Sequence, residues 1–205
     1  MKMLWFKRPF DLGLASFGMI LSFPLWLVFG LMIRITDRGP VFYLQERVGR
    51  GGKIFKAIKF RSMVKDAEKT AGPQQAAKND PRVTKIGKFL RATAMDELPQ
   101  LINIIKGDMS FVGPRALRPQ EREVVGNGEV IDLSHFPGYE KRHSVRPGLT
   151  GIAQITLPPD APRQEKFHYD LFYIEKKSLW LDLKLLFLSF WITFRAKWGS
   201  QEKKI

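Results

Sequence analysis

From Leu12 to Ile33 the chain carries no charge for 22 residues, and a proline sits near the middle of that run. About 20 apolar residues are enough to cross a bilayer as a helix, so this segment constrains every other choice. Lys2, Lys7 and Arg8 precede it; Arg34, Arg38, Arg47 and Arg50 follow it. Positive charge marks the cytoplasmic side of a membrane segment, and a straight span cannot put both flanks on that side. Pro24 removes a backbone hydrogen bond and kinks or breaks a helix. Two topologies remain open. One is a single span with a tolerated proline. The other is a bent segment that enters one leaflet and returns, with both ends cytoplasmic. The run is too long for a signal peptide, and no small-residue cleavage site follows it.

The 205 residues include 34 Lys plus Arg and 20 Asp plus Glu, a net charge of +14. Such an excess calls for an anionic partner. Beside a membrane segment, anionic lipid or a phosphorylated substrate fits better than nucleic acid. No base-stacking motif supports nucleic-acid binding. The chain has no cysteine, which excludes disulfides. Trp5, Phe6, Trp26, Trp180, Trp191 and Trp198 suit the headgroup layer of a bilayer.

Beyond residue 36 the pattern changes to that of an α-rich α+β domain, taken as 37–205. Val41 to Val48 and Lys53 to Phe60 flank Gly49-Arg50-Gly51-Gly52 and predict a β-hairpin. The stretch Asp66 to Asp80 lacks large apolar residues and reads as a mobile surface segment. Ile86 to Ala94 predicts a basic helix. Leu98, Leu101, Ile102 and Ile105 mark one buried face of a second helix, which Gly107 stops. Asp108 to Pro119 and Arg146 to Gly151 read as loops, and Gln120 to Asp132 as a polar, helix-compatible stretch. Gln164 to Lys176 predicts a helix. Leu179 to Phe194 is apolar but interrupted by Asp182 and Lys184, and its uncharged core is too short to span. It fits an interfacial helix reaching about residue 198, or equally a buried core helix. Its apolar surface suits lipid or a second subunit in a homodimer.

Chemistry concentrates at Asp96-Glu97-Leu98-Pro99-Gln100, just before an apolar helix. Asp96 is either a capping residue or an ionised nucleophile beside a phosphate site. Lys59, Arg61, Arg91, Arg115 and Arg146 lie in well-patterned segments, three of the five beside glycine or proline turns or at a strand end, and arginine suits bidentate phosphate recognition. Two carboxylates among arginines also suit a divalent metal on a pyrophosphate. Adjacent carboxylates do not flank a glycosidic bond as a glycosidase requires. His135, His143 and His168 lack zinc-ligand spacing, and no P-loop or dinucleotide fingerprint is present.

Taken in order, the motifs resemble those of one family. They are Lys7-Arg8 with Asp11; Gly39-Pro40-Val41-Phe42-Tyr43-Leu44-Gln45-Glu46-Arg47-Val48-Gly49; Lys59-Phe60-Arg61-Ser62-Met63; and Asp80-Pro81-Arg82-Val83-Thr84-Lys85-Ile86-Gly87. Asp96 to Gln100, Gly107 to Arg115, Arg146 to Gly151, Asp170 and Tyr173 complete the set. The chain resembles the bacterial sugar transferases, the monotopic phosphoglycosyl transferases, in their small form. The resemblance implies transfer of a sugar-1-phosphate from a UDP-sugar to polyprenyl (undecaprenyl) phosphate, releasing UMP and starting assembly of a surface glycan. It implies Asp96 as the nucleophile of a covalent phospho-sugar intermediate and Glu97, with Asp96, as the holder of Mg²⁺. Arg91 and Arg115 match positions associated with phosphate; Lys59, Arg61, Arg146 and Asp170 are further site candidates. It also implies a re-entrant membrane helix over residues 1–36, broken at Ser22 and Pro24, at the cytoplasmic face of the bacterial inner membrane. Two departures stand out. Relatives often carry Ser-Pro at the break where this chain has Phe23-Pro24, and Gly-Pro-Arg-Pro where it has Gly113-Pro114-Arg115-Ala116. The competing reading is a non-catalytic membrane adaptor that binds anionic lipid.

Overall fold

The structure is a computed structural model that describes residues 5–65, 67, 80–124, 130–196 and 198. Except for Ala67 and Asp80, the polar segment expected to be mobile lies outside the described residues.

The apolar run forms α1 (Lys7–Asp37), about 46 Å long at 1.5 Å per residue. By length and composition it can cross a membrane, and only 11% of its most apolar window is buried. Asp11, Ala15, Ser22, Phe29 and Ile33 face the protein, while Phe17, Ile20, Leu21, Leu27 and Leu31 are exposed. The inward residues recur at helical spacing, so one face of α1 lies along the domain through its whole length. Near its start, Arg8 donates to the carbonyls of Ile104 (2.5 Å) and Ile105 (2.7 Å), and Asp11 accepts from the Phe111 amide at 3.2 Å. Near its end, the Trp26 and Phe29 rings lie 5.7 and 6.0 Å from that of Phe60.

The break expected at Pro24 is not present as an interruption: α1 continues through the proline. Proline removes one hydrogen bond, and contacts to the domain on both sides of it hold the two halves in register. Ser22 Oγ accepts from the Trp26 indole at 3.1 Å and reaches the Met19 carbonyl only at 3.5 Å. Arg38, in the left-handed region at φ 43°, ends the helix. A side chain at Gly39 would place its Cβ 1.9 Å from Arg61 Nη1, so the glycine leaves the room that the buried guanidinium fills.

β1 (Phe42–Val48) and β2 (Ile54–Phe60) form the expected antiparallel hairpin, in the register Tyr43 opposite Lys59 and Val48 opposite Ile54. α2 (Lys85–Ala92) is capped by Thr84, whose Oγ1 accepts from the Gly87 amide at 3.0 Å. α3 (Gln100–Lys106) ends at Gly107, φ 92°. The two segments expected to be loops each contain a short strand. β3 (Ser110–Val112) pairs in parallel with β6 (Gly148–Thr150). This pairing needs close backbone approach: a Cβ on Gly148 would fall 2.1 Å from Gly113 N.

The stretch expected to tolerate a helix instead forms an antiparallel pair, β4 (Arg122–Val124) and β5 (Val130–Asp132). Val124, Val125, Val130 and Ile131 are β-branched, and Gly126 and Gly128 weaken any helix. α4 (Tyr139–Arg142), α5 (Ile152–Thr156), α6 (Arg163–Lys176) and α7 (Leu179–Phe194) complete the domain. Leu101, Ile104, Met109, Ile155, Tyr173, Leu185 and Ile192 form the main core; Phe29, Ile33, Phe60 and Leu90 form a second cluster beneath the hairpin.

α7 packs one face into the core and leaves the opposite face exposed and apolar. Asp182, Leu185 and Ile192 are buried, while Trp180, Leu183, Phe187, Phe190 and Phe194 form an exposed apolar stripe. Asp182 is tolerated inside because Lys7 Nζ (2.5 Å) and the Tyr173 hydroxyl (2.7 Å) donate to it. This cluster ties the start of α1 to α6 and α7.

Candidate active site

Asp96 and Glu97 lie in a 3₁₀ turn, Met95–Glu97, that begins after Ala94 in the left-handed region at φ 55°. Pro99, not Asp96, stands at the start of α3, and no side chain caps that helix. The capping reading of Asp96 therefore does not apply. Three elements converge on the turn. Lys59, near the end of β2, donates from Nζ to Glu97 Oε1 at 2.7 Å. Arg115, just after β3, donates from Nη2 to the same oxygen at 2.9 Å. Arg91 comes from the last turn of α2 and lines the same cleft.

Electrostatics separate the two carboxyl groups. Burial pushes Asp96 up to about 6, helped by the Glu97 charge and opposed by Lys59, Arg91 and Arg115. Burial would raise Glu97 as well, but the charges and hydrogen bonds of Arg115 and Lys59 outweigh it and hold this group well below the usual carboxylate range. Desolvation pulls the Lys59 ammonium down against the opposing pull of Glu97. At neutral pH the pair thus holds one carboxylate locked between two cations and another ionised but poorly solvated, the condition of a reactive anion.

Arg115 is positioned by its backbone. It bridges to Gly148, and Arg142 donates to its carbonyl. Arg142 is in turn held by Asp170 at 2.7 Å, both side chains only 3% exposed, with its guanidinium 5.0 Å from the centre of the Phe167 ring. Asp170 lines the cleft with its charge committed to this ion pair. Arg61 lines the cleft beside Gly39. Arg146 stands apart: it does not line the cleft, and its Nε donates to the Gly107 carbonyl at the end of α3 (2.8 Å). Ser22 and Pro24 lie on α1 and do not line the cleft.

Other cationic residues were not singled out from sequence. Arg47 donates to the Ala116 carbonyl at 2.8 Å, and burial with neighbouring Arg115 and Arg118 draws it down to about 10. Arg118, Arg163 and Lys166 also line the cleft, and burial beside Arg163 lowers Lys166 to about 8. A signal for Arg47 was available. Tyr43, Gln45 and Arg47 alternate onto one face of β1, and Lys59 pairs with Tyr43 on that face. Gln45 is buried on this face and accepts hydrogen bonds from Arg47. Arg163 and Lys166 stand three residues apart on α6, whereas Arg118 comes from the segment after β3, and only the fold brings it to them.

These residues surround a cleft of about 1470 Å³. That exceeds the roughly 300–1,000 Å³ of most single-ligand sites. Beyond its charged floor, α7 contributes Leu186 and Phe190 and the following turn contributes Trp198. Among the described residues no group of three or more acidic or histidine side chains gathers as a metal site. The adjacent carboxylates of Asp96 and Glu97 are the donors this part of the cleft offers among the described residues. Mg²⁺ commonly binds through one or two carboxylates and completes its shell with water and substrate phosphate, so this pair fits it.

The cleft thus joins an acidic pair and several cations to an apolar wall. The chain belongs to the bacterial sugar transferase family, whose profile matches residues 2–196. It is 43% identical over 191 residues to a UDP-glucose:undecaprenyl-phosphate glucose-1-phosphate transferase of Klebsiella pneumoniae, covering 90% of this chain and 39% of that protein. It is 40% identical over 184 residues to a UDP-N-acetylgalactosamine-undecaprenyl-phosphate N-acetylgalactosaminephosphotransferase of Aeromonas hydrophila, covering 88% and 42%. The exopolysaccharide production protein PSS of Rhizobium leguminosarum bv. phaseoli is 38% identical over 186 residues, covering 88% and 91%. The chain spans about two fifths of the length of the first two relatives.

Proposed function

We propose that this protein transfers a sugar-1-phosphate from a UDP-sugar to undecaprenyl phosphate, through a covalent intermediate on Asp96. The observation that carries this reading is the split acidic pair in a cationic cleft. Glu97 is neutralised by Lys59 and Arg115, and the adjacent Asp96 accepts no hydrogen bond from any described residue. In the first step a carboxylate oxygen of Asp96 attacks the phosphorus that bears the sugar. The bond from that phosphorus to the bridging oxygen breaks, and UMP leaves with the bridging oxygen. In the second step a phosphate oxygen of the lipid attacks the same phosphorus and expels the Asp96 carboxylate. Neither step consumes water or a net proton. Two displacements replace one difficult transfer.

Phosphoryl transfer depends mainly on positioning and on neutralising oxygen charge. Arg115 and Arg91 supply that charge beside Asp96, and the Asp170–Arg142 pair keeps Arg115 in place. Lys59 and Arg115 keep Glu97 ionised. Asp96 and Glu97 would hold Mg²⁺, which, when bound, screens the diphosphate of the donor. Burial raises Asp96 and strengthens it as a nucleophile relative to a fully solvated carboxylate.

The same reading makes the protein monotopic. Both ends of α1 attach to one domain, basic residues flank both ends, and the exposed faces of α1 and α7 carry hydrocarbon and aromatic side chains. We therefore assign α1 to one leaflet of the inner membrane, with its termini and the cleft on the cytoplasmic side. A soluble nucleotide sugar and a long-chain lipid phosphate can meet there.

The test is UMP release by nanodisc-held protein with Mg²⁺ and undecaprenyl phosphate, over a panel that includes UDP-glucose and UDP-N-acetylgalactosamine. With donor alone, one equivalent of UMP should appear as a burst and label should remain on Asp96. Asp96→Asn should abolish both. Full turnover by that variant would refute the covalent route, and lipid binding without UMP release from any donor would favour the adaptor.

A further inference from the structure

We infer that the hydrocarbon tail of the lipid acceptor enters the cleft over Phe190 of α7, along a wall made by Leu186, Thr193 and Trp198. This rests on the proposed transfer to a polyprenyl phosphate and names the route by which that acceptor reaches Asp96.

Phe190 has two roles at once. It is 72% exposed and belongs to the apolar stripe of α7, and it also lines the cleft. Phe187, one turn earlier on the same stripe, is 70% exposed but does not line the cleft. The stripe therefore turns into the cleft at Phe190.

From there the wall is continuous to the acidic turn. Trp198 donates from its indole nitrogen to Thr193 Oγ1 at 2.8 Å, and its backbone amide approaches the Ala92 carbonyl at 3.4 Å. Ala92 ends α2, and Ala94 and Asp96 follow in the cleft lining. One turn before Thr193 on the same face of α7, Ser189 and Thr150 share a 2.5 Å hydrogen bond that joins the helix to β6, and β6 bridges to Arg115. The inner edge of α7 is thus pinned, through Trp198, to the end of α2, which leads to Asp96, and, through Ser189, to the strand that positions Arg115.

Charge complementarity names the occupant. A ligand crossing this edge leaves an apolar, aromatic surface and arrives among Arg91, Arg115 and Lys59. A single-chain lipid phosphate has that polarity from tail to head. A nucleotide sugar has no part that gains from the apolar stretch, and its charge is better met where Arg118, Arg163 and Lys166 line the cleft. Exposed aromatic rings at such an edge stabilise a hydrocarbon chain through the area they remove from water.

The experiment compares Phe190→Ser with Phe187→Ser in nanodiscs, reading the donor-only UMP burst, the KM for undecaprenyl phosphate and the KM for the donor. A photoreactive prenyl phosphate, its diazirine in the first isoprene units, is mapped on the unsubstituted protein in parallel. Phe190→Ser should raise the acceptor KM by about tenfold, leave the burst and the donor KM unchanged, and exceed the effect of Phe187→Ser. The probe should label the 186–198 segment. Equal effects of the two variants would reduce the stripe to a membrane anchor and overturn the route. Labelling confined to residues 42–44 of the hairpin would place the entrance between β1 and α1 and overturn it too. Loss of dimerisation in Phe190→Ser with an unchanged acceptor KM would assign the face to a second copy of the chain. Absence of any burst in the unsubstituted protein would sink the proposed transfer, while the labelling pattern would still decide the route.

Discussion

Replacing Asp96 with asparagine should remove activity and make the protein more stable, with a gain that depends on pH. The folded protein raises this carboxyl from 3.8 to about 6. A raised carboxylate is one whose charged form the fold disfavours. Its contribution to stability is complete below the unfolded value near 4 and is lost as pH rises through about 6. Two pH units correspond to about 3 kcal/mol once the group is fully ionised. Water in the open cleft screens part of this, so the expected relief in the variant is about 1–2 kcal/mol at pH 8. For a chain of this size that is a rise in Tm of roughly 2–8 °C. At pH 4 the native aspartic acid is neutral in the fold, and the difference should shrink toward zero. Thermal unfolding of both proteins in one detergent, followed by tryptophan fluorescence at pH 4, 6 and 8, measures it. A gain that is equal at pH 4 and 8 would refute the electrostatic origin. A loss of stability at pH 8 would show that Asp96 is a structural partner rather than a strained nucleophile.

The neighbouring substitution should act in the opposite sense. Glu97→Gln leaves Lys59 and Arg115 without their shared carboxylate, and a loss of about 2–4 kcal/mol is expected at pH 7. Because Glu97 is held below the ordinary range, that contribution should persist at mildly acidic pH and fade only as pH falls through the folded value; the same unfolding series reads it. Asp170→Asn strips a 3%-exposed arginine of its partner, so stability should fall by about 3–5 kcal/mol, and any folded fraction should show a raised donor KM through Arg115. Gly148→Ala sets a methyl group 2.1 Å from Gly113 N and 2.4 Å from Thr150 O. Backbone has no room to move there, so the β3–β6 pair should open and membrane-extracted protein should lose its cooperative melting transition.

The local and periodic features of this protein are legible in the chain itself. The uncharged run predicts a long helix because hydrocarbon needs no partner to specify it. The hairpin follows from two β-favouring runs around glycines, and α2, α3 and α6 follow from helical spacing and a stop at Gly107. The Asp96–Glu97 pair and the arginines near it were visible as residues in ordered motifs.

What the chain alone left open depends on contacts between distant segments. The β-branched residues and glycines of 120–132 disfavour a helix, and the antiparallel pairing of β4 with β5 fixed the strands. The parallel contact of β3 with β6 joins residues nearly forty positions apart, and only then do Gly113 and Gly148 read as sites of backbone approach. Pro24 suggested a break, but packing on both sides of it carried the helix through. Arg146 and Arg115 look alike as residues beside glycine–proline turns. Tertiary structure sends one to the end of α3 and the other to Glu97. The two carboxyl groups are neighbours in sequence and chemically almost identical. They acquire different proton affinities because Lys59 and Arg115, brought from β2 and from the turn after β3, hydrogen-bond to Glu97 and act on Asp96 only through their charge.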